Sequence, residues 1–257
     1  FTNICPQNHD RPLCRKMRFF MRKLFRIASA SLAILLVCAS AQARKKTPQK
    51  TVASNPALEA YFSDPEGDSL SPDENGFIKR WLLLEPILWP NSTNTVFTDS
   101  YIRETFGKEM FPGQFTILPS DGQAVKVGEE KLLWHALDSK LFNVKLYRYA
   151  TGLGKERYGI IFWAVTVLDV PERIENVRLS AGSNSASLWW LDGEEVLILS
   201  GDRRMVADDG ASHRLTLEKG RHILRCAVIN GPGMSDFCVR FVDGNGSPVT
   251  SFTSLNK

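Results

Sequence analysis

Ser185, His213 and Asp209 have the residue types of a nucleophile, a general base and an orienting acid. Brought together by a fold, they would hydrolyse an ester. Triads are recognised by geometry, so the sequence leaves this set open beside the plainer reading of three surface polar residues. A second serine, in Gly67-Asp68-Ser69-Leu70, would need a strand-to-helix turn and separate oxyanion donors to act as a nucleophile. It lies in an acidic stretch with no strand pattern before it, and the string reads as coincidence. His135, His213 and His222 are the only histidines past residue 43, and no pair of them has zinc spacing. His222 and Cys226 fall four apart, but two ligands make no site. Glu194 and Glu195 are adjacent, which points them to opposite faces of a strand and away from a paired-carboxylate role. Asp202, Asp208 and Asp209 offer hard oxygen ligands, so a structural calcium ion stays open without any EF-hand spacing. No other cofactor is implied.

Sugar binding asks for other residue types: flat aromatic faces, and amide or charged groups that read hydroxyls. Trp89 sits in the turn-rich Pro90-Asn91-Ser92 loop and is the tryptophan expected to be exposed. Trp189 and Trp190 are neighbours, so a strand sends them to opposite faces. One belongs to the core, and Trp190 is the candidate for a ligand face. Trp81 and Trp163 lie in apolar runs and read as core. Asn184, Asp192, Arg203 and Arg204 surround the same region and are the candidate hydroxyl-reading groups. Their plainer reading is a solvated rim.

The elements that position these residues are strands. Phe77–Leu84 and Ile174–Leu179 are short apolar or alternating runs between turn signals. Tyr158–Leu168 is almost wholly apolar and reads as a central strand covered on both faces. Leu188–Leu191, Asp192-Gly193 and Glu194–Leu199 form the clearest hairpin, because Asp-Gly accepts the positive φ of a tight I′ turn. Asn143–Ala150 and His213–Leu217 alternate. Arg221–Asn230 and Phe237–Val242 read as a hairpin about Gly231-Pro232-Gly233. Cys226 and Cys238 would then face each other, and both a disulfide and two buried thiols fit. Asp99–Phe106 alone reads as a helix, capped by Asp99 or Ser100. The expected class is all-β, a β-sandwich or jelly roll with one short helix.

The N-terminal region reads as an address. Residues 1–16 look like upstream frame, with a start at Met17 or Met21. Met21–Arg26 is basic, Ile27–Ala39 is apolar, and Ala41-Gln42-Ala43 is a small-x-small cleavage site. This is a secretory signal peptide. The apolar run is short for a membrane anchor. Leu35-Leu36-Val37-Cys38 is close to a lipobox but has bulky Val37 before the cysteine. The expected destination is secreted, periplasmic or cell-surface, with a lipoprotein less favoured and no membrane span in the mature chain. Residues 44–76 are polar and turn-rich and read as a flexible tether, which leaves 77–257 as the folded domain. The whole chain of 257 residues carries +4, but beyond residue 43 there are 25 basic and 27 acidic residues. The basic balance therefore belongs to the address, and no nucleic-acid partner is implied.

Three stretches carry a resemblance. The first is Phe77-Ile78-x-x-Trp81-Leu82-Leu83-Leu84 leading to Glu85-Pro86. The second runs from Gly182-Ser183-Asn184-Ser185 through Leu188-Trp189-Trp190-Leu191-Asp192-Gly193 to Val196. The third is Leu215-Thr216-Leu217-Glu218-Lys219-Gly220-x-x-x-Leu224, then Val228-x-Asn230. Together they resemble a galactose-binding-like jelly-roll module of secreted Bacteroidota polysaccharide-degrading proteins. Such modules accompany glycoside hydrolases and acetylxylan esterases. Asp192 and His222 stand where that family commonly has Asn. The resemblance implies an exported, non-catalytic carbohydrate-binding or accessory module, with a polysaccharide or oligosaccharide ligand and a hydrolase as partner. An acetylxylan-esterase-like activity is the alternative, and a structural domain of the cell envelope is the second.

Overall fold

Alternate residues of a strand point to opposite faces, so a strand apolar at every position must be covered twice. The computed structural model describes residues 51–92, 94–231 and 233–255, and it shows that arrangement. The first half contributes β1 (Phe62–Ser63), β2 (Ser69–Leu70), β3 (Arg80–Leu84), β4 (Ile87–Leu88), α1 (Asp99–Gly107), β5 (Ala124–Val127), β6 (Glu130–Ser139) and α2 (Leu146–Gly152). The second half is all strand: β7 (Ile160–Val170), β8 (Ile174–Ser183), β9 (Ala186–Leu191), β10 (Glu194–Leu199) and β11 (Gly210–Ala211). It ends with β12 (Leu215–Leu217), β13 (Gly220–Asn230), β14 (Phe237–Val242) and β15 (Thr253–Leu255).

The larger sheet runs β1-β6-β3-β7-β13-β9-β10, with β4 and β15 also on β7. The smaller sheet is built on β8, which pairs with β11, β12 and β14. All pairings are antiparallel. One face of the larger sheet sends Trp81, Leu83, Phe162, Ala164, Trp189, Cys226 and Val228 against Val177, Leu179, Phe237, Val239 and Phe241 of the smaller sheet. The other face sends Leu82, Leu84, Ile161, Trp163, Val165, Trp190, Ala227 and Ile229 under Ile102 and Phe106 of α1 and under Phe97 and Phe111. The result is an all-β sandwich whose larger sheet has a second cover. Burial of each large apolar side chain contributes about 1.5–3 kcal/mol. Trp81 and Trp163 are core, as their apolar runs predict.

Five expectations need correction. The β13–β14 hairpin does not form. β13 pairs with β7 along one edge and β9 along the other, so neither edge is left for β14. β14 crosses to the smaller sheet instead and pairs with β8. The cysteines follow their strands. Cys226 lies between the sheets, while Cys238 alternates with the inward-facing Phe237 and Val239. Both are free and buried, not bridged. Residues 146–152 are helix α2 in place of a strand: Leu146, Tyr149 and Ala150 bury one helical face, and the Tyr149 hydroxyl donates to the Leu83 carbonyl at 3.1 Å. There are accordingly two described helices, and α1 is capped by the Thr98 side chain, one residue earlier than expected.

The fifth correction concerns the tether. Residues 51–76 pack onto the domain. Leu58 and Phe62 are buried, β1 pairs with β6, and β2 pairs with β15. Buried Arg80 holds this segment. Its Nε and Nη2 each meet Asp138 at 2.8 Å, and Nη2 also donates to the Glu66 carbonyl at 2.8 Å. Composition alone hid this, because the partners lie far along the chain. The remainder of the expected tether (44–50), the signal peptide and the upstream frame (1–43) lie outside the described residues. No helix among the described residues is long and apolar enough to cross a membrane.

Two outcomes follow from the core. Arg225 is buried opposite Trp190 and Val165, and its Nη1 has no hydrogen-bond partner. Burial lowers its pKa to about 10. Arg225→Met removes an unpaired buried charge and should raise the thermal midpoint, by about 1–3 kcal/mol of stability. A lower midpoint would contradict this account of the site. Burial also pushes the Cys226 thiol well up and the Cys238 thiol up to about 12. A thiol reagent should therefore label neither cysteine in the native protein and both after denaturation without reductant.

Candidate functional site

Three connections between the two sheets arrive at one end of the sandwich. Asn184 and Ser185 join β8 to β9, residues 200–209 join β10 to β11, and residues 231–236 join β13 to β14. Residues 91–92 and 94–97, which lead into α1, close the ring. Backbone hydrogen bonds tie the pieces together. Asn184 N–H donates to the Asp236 carbonyl at 2.8 Å, and Ser185 N–H donates to the Arg203 carbonyl at 3.3 Å. Gly201 N–H donates to the Phe97 carbonyl at 2.8 Å, and the Asn91 side chain donates to the Asn230 carbonyl at 3.1 Å. Gly182 permits the closest approach: a Cβ there would stand 1.7 Å from the Val206 carbonyl oxygen.

Among these segments opens a cleft of about 200 Å³, lined by Ser92, Thr95, Phe97, Asn184, Asp202, Arg203, Asn230 and Met234. The Asn184 side chain is half-buried and makes no hydrogen bond within the described residues. The Asp202 carboxylate is exposed and unpaired there too. Arg203 is oriented by Nε donating to Asp209 at 2.6 Å and Nη1 donating to the Ser200 carbonyl at 3.1 Å. Its Nη2 has no hydrogen-bond partner among the described residues. Phe97 supplies a buried apolar wall, and Met234 an exposed thioether in the lining. Donors and acceptors thus stand beside apolar surface in a space smaller than the roughly 300–1,000 Å³ of drug-sized ligand sites.

The structure sorts the residues that the sequence singles out. Asn184, Asp202 and Arg203 come together at the cleft, as does the Ser185 backbone. Arg204 is exposed and stands outside the lining. Trp190 is not a ligand face. It stacks on Trp163 with ring centroids 5.5 Å apart and is covered by Phe106 and Phe115. Trp89 is half-buried against the same core layer and is not an open platform. Asp192 serves the hairpin turn, with φ of 51°. It accepts from the Ile223 N–H at 2.7 Å and meets His222 Nδ1 at 2.6 Å.

The triad set is not assembled. Asp209 is taken by Arg203, and His213 is exposed beside β8 near Leu179. At about 3.3 Å per residue, β8 carries Ser183 roughly 13 Å beyond Leu179, and Ser185 lies in the turn that follows. The serines near the turn serve packing. Ser183 Oγ meets Ser187 Oγ at 3.0 Å, and Ser187 Oγ accepts from the Trp189 indole at 3.0 Å. Ser69 sits in β2 against Leu255, with no helix following. The calcium set is dispersed as well. Arg240 pairs with Asp208 and holds its carboxyl below the usual range, while Arg203 pairs with Asp209. Among the described residues no three His, Cys, Asp or Glu side chains are grouped for a metal.

Asn230, Phe97, Thr95 and Met234 were missed from sequence. The available signal was Gly231-Pro232-Gly233, which the sequence reads as a tight turn, whereas Gly231 and residues 233–236 lead from one sheet to the other.

No family model and no curated protein matches the sequence. Among solved structures, a PA14 sugar-binding domain from an RTX adhesin shares 10% identity over 68% of this chain and 96% of its own, with a TM-score of 0.38. The Candida glabrata epithelial adhesin A domain shares 9% over 74% of this chain and 92% of its own, with a TM-score of 0.33. A family 35 carbohydrate-binding module from an environmental isolate shares 9% over 71% and 97%, with a TM-score of 0.25. Likeness at this level fixes neither ligand nor activity.

His222 gives a pH dependence. Burial lowers its pKa, but the Glu218 carbonyl at 2.7 Å and Asp192 at 2.6 Å outweigh burial and raise it above 6.5. Both ring nitrogens face acceptors, so the imidazolium is the form that satisfies both. A raised folded pKa stabilises the protein at acidic pH, and that contribution is lost as pH rises through the folded value. The wild type should lose thermal stability across this window, and His222→Gln should lose less. Equal pH slopes would contradict the assignment.

Proposed function

We propose that the chain is an exported carbohydrate-binding module, and that one sugar ring occupies the cleft between the sheet crossovers. The observation that carries this reading is the convergence of unengaged polar groups in a one-ring space. Asn184, Asp202 and Arg203 line one cleft with Phe97 and Met234, and the Asn184 amide, the Asp202 carboxylate and Arg203 Nη2 have no partner among the described residues. A sugar hydroxyl both donates and accepts, so an amide, a carboxylate and a guanidinium together can read a pattern of hydroxyls. The apolar face of the ring then covers Phe97 or Met234. The sites of ester hydrolysis that the sequence left open are not assembled, which favours binding without turnover. Export follows from the address over 21–43. Accessory action beside a polysaccharide hydrolase follows from the resemblance of the three sequence stretches.

Calorimetry against xylose, galactose, glucose and their tetrasaccharides tests this. At least one sugar should bind, and Asn184→Ala and Asp202→Ala should each weaken it about tenfold or more, the loss of one hydrogen bond to a charged or amide group. Unchanged affinity in both variants would overturn the assignment to this cleft.

A further inference from the structure

The cleft does not end at Asn230. The Asn230 side-chain amide donates to the Gly233 carbonyl on the cleft wall at 3.3 Å and to the Arg157 carbonyl at 2.7 Å. The Gly159 N–H donates back to the Asn230 carbonyl at 3.1 Å. Segment 157–159 is thereby fixed beside the cleft. It carries an aromatic pair: the rings of Tyr147, on α2, and Tyr158 lie 6.2 Å apart. The Arg157 guanidinium lies over both rings, 5.6 Å from the Tyr147 centroid and 5.8 Å from the Tyr158 centroid. Its Nη1 donates to the Tyr147 hydroxyl at 3.2 Å.

The other exposed aromatic side chains serve packing. Phe115 closes over Trp163 and Trp190, and Phe142 leans on Phe77. Tyr158 belongs to neither core layer and is 46% exposed. No carboxylate among the described residues pairs with Arg157, and of its guanidinium nitrogens only Nη1 has a hydrogen-bond partner among them. An arginine held on two tyrosines is a stiff shelf. It presents aromatic surface and hydrogen-bond donors together, at low ordering cost.

We infer that Tyr158, Arg157 and Tyr147 form a second subsite, which takes the next ring of a glycan whose first ring fills the cleft. The inference rests on the cleft reading above and narrows it: the ligand is an oligosaccharide of two or more rings, not a free monosaccharide. The second ring stacks on Tyr158, and Arg157 donates to its oxygens.

The test is calorimetry of the full chain with xylose, galactose and glucose, each paired with its tetrasaccharide. For the sugar that binds, the tetrasaccharide should exceed the monosaccharide by about tenfold or more, the scale of one stacked ring. Tyr158→Ala should abolish that gain and leave the monosaccharide affinity unchanged. Arg157→Gln should reduce it. Tyr158→Phe should retain it, which separates stacking from a fault in folding. Equal affinity for both lengths, or a length gain that survives Tyr158→Ala, overturns the second subsite and leaves the cleft standing. Failure of every sugar to bind overturns the cleft and the subsite together.

Discussion

The fold depends on β13 and β7 lying side by side with both of their faces covered. Their registry runs from Gly220 opposite Val170 to Asn230 opposite Ile160, without a break. Side chains on one face meet the smaller sheet, and those on the other meet α1 and the loops around it. With β9 paired to Leu224–Ile229 on its far edge, β13 has no free edge beside its exit for β14 to join. Buried backbone groups must be paired, so the chain after Asn230 has to leave the sheet. That forced exit sends β14 to β8 and places residues 231–236 where the other crossovers arrive.

The cleft is therefore a consequence of sheet switching. Connections at 184–185, 200–209 and 231–236 meet because β8, β11 and β14 belong to one sheet, and β9, β10 and β13 to the other. Their backbone groups satisfy one another, which leaves side chains such as Asn184 and Asp202 unspent. A site assembled this way is preformed, and little ordering is charged against a small ligand. The same geometry separates Ser185 from His213, since Ser185 lies past the end of β8 and His213 lies beside its middle, next to Leu179.

Strand identity and the two-faced centre were legible in the sequence. The unbroken apolar run of β7, the Asp-Gly hairpin of β9 and β10, and the apolar face of α1 each rest on local pattern. What was not legible depends on distant partners. Residues 143–150 fit a period of two, but Tyr149 needs the Leu83 carbonyl, which fixes a helix. Leu58 and Phe62 look like stray apolar residues until Arg80 and β6 are in place. The cysteines look symmetrical about a turn only if β13 has a spare edge. Of the candidate site, the polar set around Asn184 and Arg203 was legible from composition and position. Trp190 was misassigned because alternation gives a residue's face but not what covers that face. Arg157 and Tyr158 gave no site signal: the sequence places Tyr158 in the covered central strand, whereas β7 begins at Ile160 and Tyr158 is exposed beside a segment that Asn230 holds at the cleft.

The most direct test of the central claim, that a sugar ring sits among the sheet crossovers, is an amide NMR titration of the full chain with the tightest-binding sugar from the panel. The account predicts shifts at the backbone amides of Asn184, Arg203, Gly231 and Met234 and at the Asn184 side-chain amide, with the centres of β7 and α1 unmoved. Shifts confined to another surface, such as the groove lined by Arg178, Arg214 and Gly244 on the smaller sheet, would contradict it.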